Sequence, residues 1–170
     1  MAPFITVIIP CRNEEQWIAS ILYTLLRGTY PADRLEVFVI DGGSTDDTRA
    51  IAQAIAQENP FIQVIDNPKG SAGAAMNIGI ALAKGEYIVR MDGHAMYPLD
   101  YLQRLIEVAQ ATGADNVGAM MRTLPGANTT EARAVALITS STFGVGDSRF
   151  RTGVRKPPFS LKRWFTFWKH

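Results

Sequence analysis

The sequence predicts an α/β protein with a mostly parallel sheet and helices on both faces. Short apolar stretches of strand length alternate four times with stretches of helical periodicity, and the connections between them are short. The apolar stretches are continuous rather than alternating, as expected where both faces of a sheet are covered. The chain has 170 residues, 47% of them hydrophobic, which is enough for one domain with one core.

Five strands are predicted from runs rich in β-branched and aromatic residues. The first of these runs contains FITVII and ends in Pro10, and the fourth ends one residue before Asp92. The fifth is the weakest, because its apolar run is short. The predicted strands span residues 4–10, 35–40, 61–65, 86–91 and 115–120.

Helices are predicted where apolar residues recur every three or four positions. Ser44 and the two acids after it are predicted to cap the second helix, and Pro98 to begin the fourth, because each residue type favours that position. A last helix is predicted after Leu124, where the pattern weakens. The predicted helices span residues 14–26, from the 44–47 turn to 58, 74–83, from 98 through 108, and 131–143.

Charge is distributed unevenly along the chain. Residues 1–148 contain 10 basic and 16 acidic residues, whereas residues 149–170 contain seven basic and no acidic ones. An acidic body argues against a nucleic-acid-binding domain, which would carry a basic face. Cys11 is the single cysteine, so we expect a reducing compartment. No signal peptide and no apolar run of about 18 residues is present, which predicts a cytoplasmic protein with membrane contact at most at the surface.

Polar side chains follow three of the predicted strands. The groups are Cys11-Arg12-Asn13-Glu14, Asp41-Gly42-Gly43-Ser44, and Asp92-Gly93-His94. Ligands of open α/β sheets bind outside the carboxyl ends of the strands, so these groups predict one common site. Two glycines after Asp41 allow positive φ and a close approach of backbone to a flat ligand. A strand-end aspartate is also a common turn residue, and that alternative stays open.

Two familiar nucleotide sites are excluded by the first strand-to-helix turn. That turn reads PCRNEE and has no glycine, so the dinucleotide fingerprint is missing, and the chain contains no P-loop. Asp92 and His94 are two residues apart at a strand tip, where both can reach one divalent cation that neutralises a diphosphate. A surface histidine without a ligand is the alternative for His94.

Three motifs in this order resemble a known family. VIIPCRNEE, VIDGGSTDDT and GAAMNIGIALAKGEYIVRMDGHA are similar to the nucleotide-binding half of family 2 glycosyltransferases with the GT-A fold. The likeness is strongest to the bacterial exopolysaccharide type, similar to succinoglycan glucosyltransferases. It covers residues 4–150 and implies a nucleotide-sugar-binding GT-A domain over residues 1–150, C-terminally incomplete, with a tail at 151–170.

The resemblance also implies a set of site residues. Asp41 would hydrogen-bond the nucleobase, with a preference for uracil, because a carboxylate accepts well from an imide N–H. Asp92 and His94 would form the metal motif. The family usually has an acid where this chain has His94, and imidazole makes Mn²⁺ more attractive than Mg²⁺. The donor-binding set implied by the resemblance is Pro10, Arg12, Asn13, Glu14, Asp41, Gly42, Lys69, Gly70 and Asn77.

The end of the chain departs from the family pattern. Family members place a general-base carboxylate in a later acceptor segment, and here Asp147 is the last acid and a weak candidate for that role. The tail alternates basic and aromatic residues, for example in LKRWFTFWK. It is interpreted as a disordered, truncated or frame-shifted end, as an anchor at lipid headgroups, or least favourably as a nucleic-acid contact.

The expected function is therefore an inverting glycosyltransferase. It would move a sugar from a nucleoside-diphosphate sugar, preferably a UDP-sugar, to a saccharide or lipid-linked acceptor in polysaccharide biosynthesis, with a divalent metal. The alternative is a nucleotide-sugar-binding fragment without catalysis, and we expect negligible transfer by this chain alone. A sugar-phosphate nucleotidyltransferase is disfavoured, because it would carry a glycine-rich loop where this chain has PCRNEE.

Overall fold

A computed structural model describes residues 1–118, 123–125 and 127–141 and the backbone of residues 167–169. The chain divides into two compact units. The first contains Met1–Asn116 and the C-terminal strand, and the second begins at Val117. Asp147 and residues 151–166 lie outside the described residues, so the predictions for the catalytic base and for most of the tail remain predictions.

A mostly parallel sheet organises the first unit, as the sequence predicts. Its order is β3-β2-β1-β4-β6-β5. β1 pairs in parallel with β2 and β4, and β2 with β3, whereas the backbone of β6 pairs antiparallel with β4. The strands are β1 Ile5–Cys11, β2 Leu35–Asp41, β3 Ile62–Asp66, β4 Tyr87–Arg90, β5 Asn116–Val117 and β6 Phe167–Lys169.

Five helices are described, and each corresponds to a predicted one. α1 begins at Ile18 rather than at residue 14. Residues 15–17 form a turn, in which the backbone N–H groups of Trp17 and Ile18 share the Glu14 carbonyl at 2.9 Å. The last helix is shorter than predicted and is capped by Thr129, whose hydroxyl accepts from the Ala132 N–H at 3.2 Å. The helices are α1 Ile18–Leu26, α2 Thr48–Glu58, α3 Ala72–Leu82, α4 Tyr101–Thr112 and α5 Thr130–Thr139.

Two predicted helix starts are wrong. Ser44 does not cap α2, because its N–H and hydroxyl donate to the Asp41 carboxylate instead. Asp46 performs part of that role by accepting from the Thr48 N–H at 3.0 Å. Pro98 lies three residues before α4, where its carbonyl accepts from the Tyr101 N–H at 3.1 Å. The error at Ser44 comes from a polar side chain that has a second, equally local partner.

The core lies on both faces of β1 and β2, whose residues are almost all buried. Continuous burial explains why these strands are uniformly apolar instead of alternating. α3 packs closely on the sheet because Gly79 has no side chain. A Cβ at that position would lie 2.5 Å from Cδ1 of Ile8. Among the described residues, no helix has the length and apolar character needed to cross a bilayer.

A buried polar cluster fixes the α3–β4 connection at the amino ends of the strands. The Glu36 carboxylate accepts from the Thr6 hydroxyl at 2.5 Å and from the Lys84 N–H at 2.6 Å. The Thr6 hydroxyl oxygen accepts from the Gly85 N–H at 2.9 Å. Buried polar groups need such partners, so this cluster stabilises the edge of the sheet opposite to the predicted site.

Candidate functional site

The loops that follow β1 and β2 are joined by hydrogen bonds between residues about thirty positions apart. Asn13 N–H donates to the Ser44 hydroxyl at 3.0 Å, and the Asn13 side-chain oxygen accepts from the Thr45 N–H at 2.9 Å. Asn13 has φ of 55°, a left-handed conformation that asparagine tolerates better than most residues. The two loops therefore form one connected surface at the carboxyl edge of the sheet.

Asp41 is built into that surface. Its side chain is only 4% exposed and accepts from the Ser44 N–H at 3.2 Å and from the Ser44 hydroxyl at 2.5 Å. Asp41 therefore does act as a turn residue, the alternative that the sequence left open. Its other oxygen lies 3.5 Å from Nη1 of Arg49. The carboxylate is thus oriented by Ser44 and faces a cation.

Arg49 is a site residue that sequence reasoning missed. Its guanidinium hydrogen-bonds Asp66 as well as facing Asp41, and the bond to Asp66 raises the pKa of Arg49 above its ordinary value. Arg49 thereby links the ends of β2 and β3. The only signal in the sequence was a lone basic residue directly after the acids of STDDT.

Cys11 is buried beneath this edge and its thiol is not reactive. Burial, together with the charges of Asp41 and Glu14, raises the pKa of Cys11 to about 12. The thiol Sγ donates to the Ile40 carbonyl at 3.8 Å. A thiolate is the nucleophilic form of cysteine, so Cys11 has a packing role.

Two glycines allow the loops after β2 and β3 to touch. A Cβ on Gly42 would lie 3.1 Å from the Gly70 carbonyl, and a Cβ on Gly70 would lie 3.4 Å from Nη1 of Arg12. Gly70 also has φ of 65°, which favours glycine. The structure therefore brings Arg12, Gly42 and Gly70 of the predicted set together.

Three further members of that set lie on β1, in the turn before α3 and on α3. Pro10 is half-buried at the end of β1 and is opposite Ile40 in the parallel register. Lys69 is exposed in the turn before Gly70, and Asn77 is exposed on α3. Lys69 and Asn77 are therefore accessible at the surface. Their contact with a nucleotide-sugar donor stays a prediction.

Asp92 and His94 follow β4 and both reach the surface. The Asp92 carboxylate accepts from Nε of Arg90 at 2.7 Å and is 38% exposed. The Asp92 N–H donates to the Tyr97 hydroxyl at 2.7 Å. The His94 ring is 68% exposed, and its Nδ1 lies 2.9 Å from Oε1 of Glu14. Glu14, predicted to contact the nucleoside, thus contacts a predicted metal ligand.

The donor set at this tip fits a divalent cation. Among the described residues, no cluster of three or more His, Cys, Asp or Glu side chains could hold a metal. Cations that serve phosphate chemistry are commonly held by one or two side chains, with waters and substrate phosphates completing the shell. Asp92 supplies an exposed carboxylate and His94 an exposed imidazole, two donor types that Mn²⁺ accepts.

Comparison with solved structures assigns this open sheet to the GT-A class of glycosyltransferase folds. TarS of S. aureus, solved in complex with UDP, superposes with a TM-score of 0.65 at 23% identity, covering 74% of this chain and 38% of that chain. The mannosyltransferase PcManGT from Pyrobaculum calidifontis, in complex with GDP-Man and Mn²⁺, gives 0.64 at 29% identity, covering 72% and 36%. The predicted fold class is confirmed.

The chain belongs to glycosyl transferase family 2, whose family pattern matches residues 6–158. It is 42% identical over 149 residues to the succinoglycan biosynthesis protein ExoA of Rhizobium meliloti (strain 1021), covering 86% of this chain and 44% of that protein. The resemblance found in the sequence is thereby confirmed. The chain spans less than half the length of that relative.

Proposed function

We propose that this chain forms the donor-binding part of an inverting glycosyltransferase of polysaccharide biosynthesis. The observation that carries the proposal is the convergence of the loops after β1, β2 and β3 on the contact between Arg12, Gly42 and Gly70, at the edge where Asp92 and His94 follow β4. Family membership and the similarity to a succinoglycan biosynthesis protein support the same conclusion.

The donor we propose is a nucleoside-diphosphate sugar, with UDP-sugars preferred. The buried Asp41 carboxylate accepts N–H donors, and a uracil imide presents one at its edge. Arg12 and Lys69 are exposed cations near the glycine contact, where a diphosphate would gain from positive charge. The complex of PcManGT with GDP-Man supports a nucleotide sugar as donor but points to another base.

Asp92 and His94 are the residues we propose to hold a divalent cation, Mn²⁺ or Mg²⁺. When bound, such a cation stabilises the charge that develops on the departing diphosphate. The Mn²⁺ in PcManGT supports this choice. Arg90 holds the Asp92 carboxylate in place, and the Tyr97 hydroxyl accepts the N–H of the same residue.

Transfer requires a base that removes the proton of the acceptor hydroxyl as the bond between the anomeric carbon and the diphosphate breaks. Asp147, the weak candidate, lies outside the described residues. A chain that binds the donor without transferring the sugar is the second candidate function. The chain spans 44% of the length of the succinoglycan relative.

Calorimetry with nucleotides tests the donor proposal. UDP should bind the chain in the presence of Mn²⁺ more tightly than CDP, which lacks the imide N–H. Asp41→Asn should weaken UDP binding about 10-fold or more, because a charged hydrogen bond is worth about 1.5–3 kcal/mol. Asp33→Asn, which changes an exposed acid, is the matched control and should bind UDP normally. Equal binding of UDP by both variants would contradict the assignment of Asp41.

A radiolabelled donor then separates the two candidate functions. Many turnovers onto saccharide or lipid-linked acceptors, lost on Asp147→Asn, would establish transfer by this chain. Donor binding without turnover would favour the second candidate.

The tail is proposed to contact an anionic membrane surface, because basic and aromatic residues alternate between residues 162 and 169. Replacing Lys162 and Arg163 by serine should reduce co-sedimentation with anionic vesicles. Equal sedimentation of variant and wild type would contradict this contact.

A further inference from the structure

The contact between Glu14 and His94 joins two loops that lie 80 positions apart in the sequence. Oε1 of Glu14 and Nδ1 of His94 are 2.9 Å apart, which is hydrogen-bonding distance. The Glu14 side chain is 17% exposed, whereas the ring it contacts is 68% exposed. A largely buried carboxylate therefore supports an exposed imidazole.

Glu14 is held in place from its backbone. Its N–H donates to the Thr48 hydroxyl oxygen at 2.7 Å, and Thr48 is fully buried. The Thr48 hydroxyl in turn donates to Asp46 at 2.5 Å. The Glu14 carbonyl accepts the N–H groups of Trp17 and of Ile18, the first residue of α1. These bonds fix the backbone from which the Glu14 side chain projects toward His94.

Gly93 leaves the space that the Glu14 side chain occupies. A Cβ at Gly93 would lie 3.2 Å from Cγ and 3.4 Å from Cδ of Glu14, which is tighter than ordinary contact. Gly93 is buried in this position. Gly93, between the two proposed metal ligands, thus has no side chain on the side where the Glu14 side chain lies.

A neutral imidazole has one N–H and one free lone pair, and its hydrogen-bond partner decides which nitrogen carries the proton. A carboxylate only accepts, so Glu14 favours the proton on Nδ1. We propose that Glu14 is a positioning residue that holds His94 as the Nδ1–H tautomer and presents Nε2 to the divalent cation. This inference rests on the proposed function and moves Glu14 from the nucleoside contact to the metal ligand.

Nuclear magnetic resonance of the imidazole nitrogens tests the tautomer in the metal-free full chain, at a pH where the ring is neutral. The chain has two histidines, so His170→Gln assigns the signals. His94 should carry its proton on Nδ1. Glu14→Ala should shift the population toward Nε2–H, and Glu14→Gln, whose amide oxygen still accepts, should shift it less. Glu15→Ala removes the neighbouring acid and should leave the tautomer unchanged.

Gly93→Ala provides a second variant that keeps the carboxylate but crowds it. It should also lower the Nδ1–H population, because Glu14 must move away from the added methyl group. An unchanged tautomer in both Glu14→Ala and Gly93→Ala would overturn the inference.

Spin-echo spectroscopy of Mn²⁺ bound with UDP tests the presentation of Nε2. Wild type should show coupling of Mn²⁺ to an imidazole nitrogen, and His94→Asp should lose it. Glu14→Ala should weaken Mn²⁺ binding about 10- to 100-fold, the usual effect of removing the partner of a metal-bound histidine. Mn²⁺ binding with nitrogen coupling but unaltered affinity in Glu14→Ala would overturn the inference and leave the proposed function intact. Absence of any Mn²⁺ binding by wild type would contradict both.

Discussion

Replacing Arg49 by methionine should destabilise the protein through the buried carboxylate of Asp41. Nη1 of Arg49 lies 3.5 Å from that carboxylate. At this distance Coulomb attraction is worth about 1 kcal/mol in water and about 5 kcal/mol at an effective dielectric constant of ~20. The Arg49 side chain is 37% exposed, so solvent screening reduces the net value toward the lower figure. We expect a loss of about 1–2 kcal/mol in the free energy of unfolding, measured by urea denaturation.

Arg104→Met is the matched control for this measurement. Arg104 also contacts two acids, Asp100 at 3.3 Å and Glu107 at 3.1 Å, but all three side chains are about half exposed. Exposed ion pairs contribute little to stability, so Arg104→Met should have the smaller effect. In an Asp41→Asn background Arg49→Met should also lose less stability, because the buried charge is gone. Equal effects of Arg49→Met and Arg104→Met would refute the reasoning.

Three further predictions concern the stability and burial of the sheet and its loops. Gly70→Ala should lower the free energy of unfolding by about 1–2 kcal/mol, because φ of 65° disfavours alanine. The new methyl group would also lie 3.3 Å from the Gly42 carbonyl. An unchanged melting temperature would contradict this prediction. Thr6→Val should lose about 1–3 kcal/mol, because it removes a buried partner of Glu36, and a denaturation midpoint equal to wild type would count against it. Because its pKa is raised to about 12, Cys11 stays a thiol at pH 8 and should resist alkylation until urea unfolds the chain. Rapid labelling of the native protein would disprove its burial.

The centre of the sheet was predictable because β1 and β2 are buried on both faces. Continuous β-branched runs such as the one ending in Pro10 are typical of strands that are covered on both faces. Helix starts were less predictable. A serine at position 44 can cap the first turn of a helix or hydrogen-bond a carboxylate three residues earlier, and both roles suit its side chain equally well. The structure shows the second role, which depends on the conformation of the folded loop.

The candidate site was predictable as a set of strand ends but not as a set of contacts. Asp41, Asp92 and His94 each follow a strand, which a pattern of apolar runs reveals. The contact of Arg49 with Asp66 joins α2 to the end of β3, and the contact of Glu14 with His94 joins the loops after β1 and β4. Such contacts depend on how the loops meet in three dimensions, and single-sequence periodicity carries no information about them.

Titration of UDP into the chain with and without Mn²⁺ tests most directly whether this edge of the sheet is a metal-assisted nucleotide site. We predict tight binding with Mn²⁺, marked weakening when a chelator removes the metal, and loss of the metal dependence in Asp92→Asn. Asp100→Asn, an exposed acid at the start of α4, should behave as wild type. UDP affinity that is the same with Mn²⁺ and with chelator, or that Asp92→Asn leaves fully metal-dependent, would contradict the account.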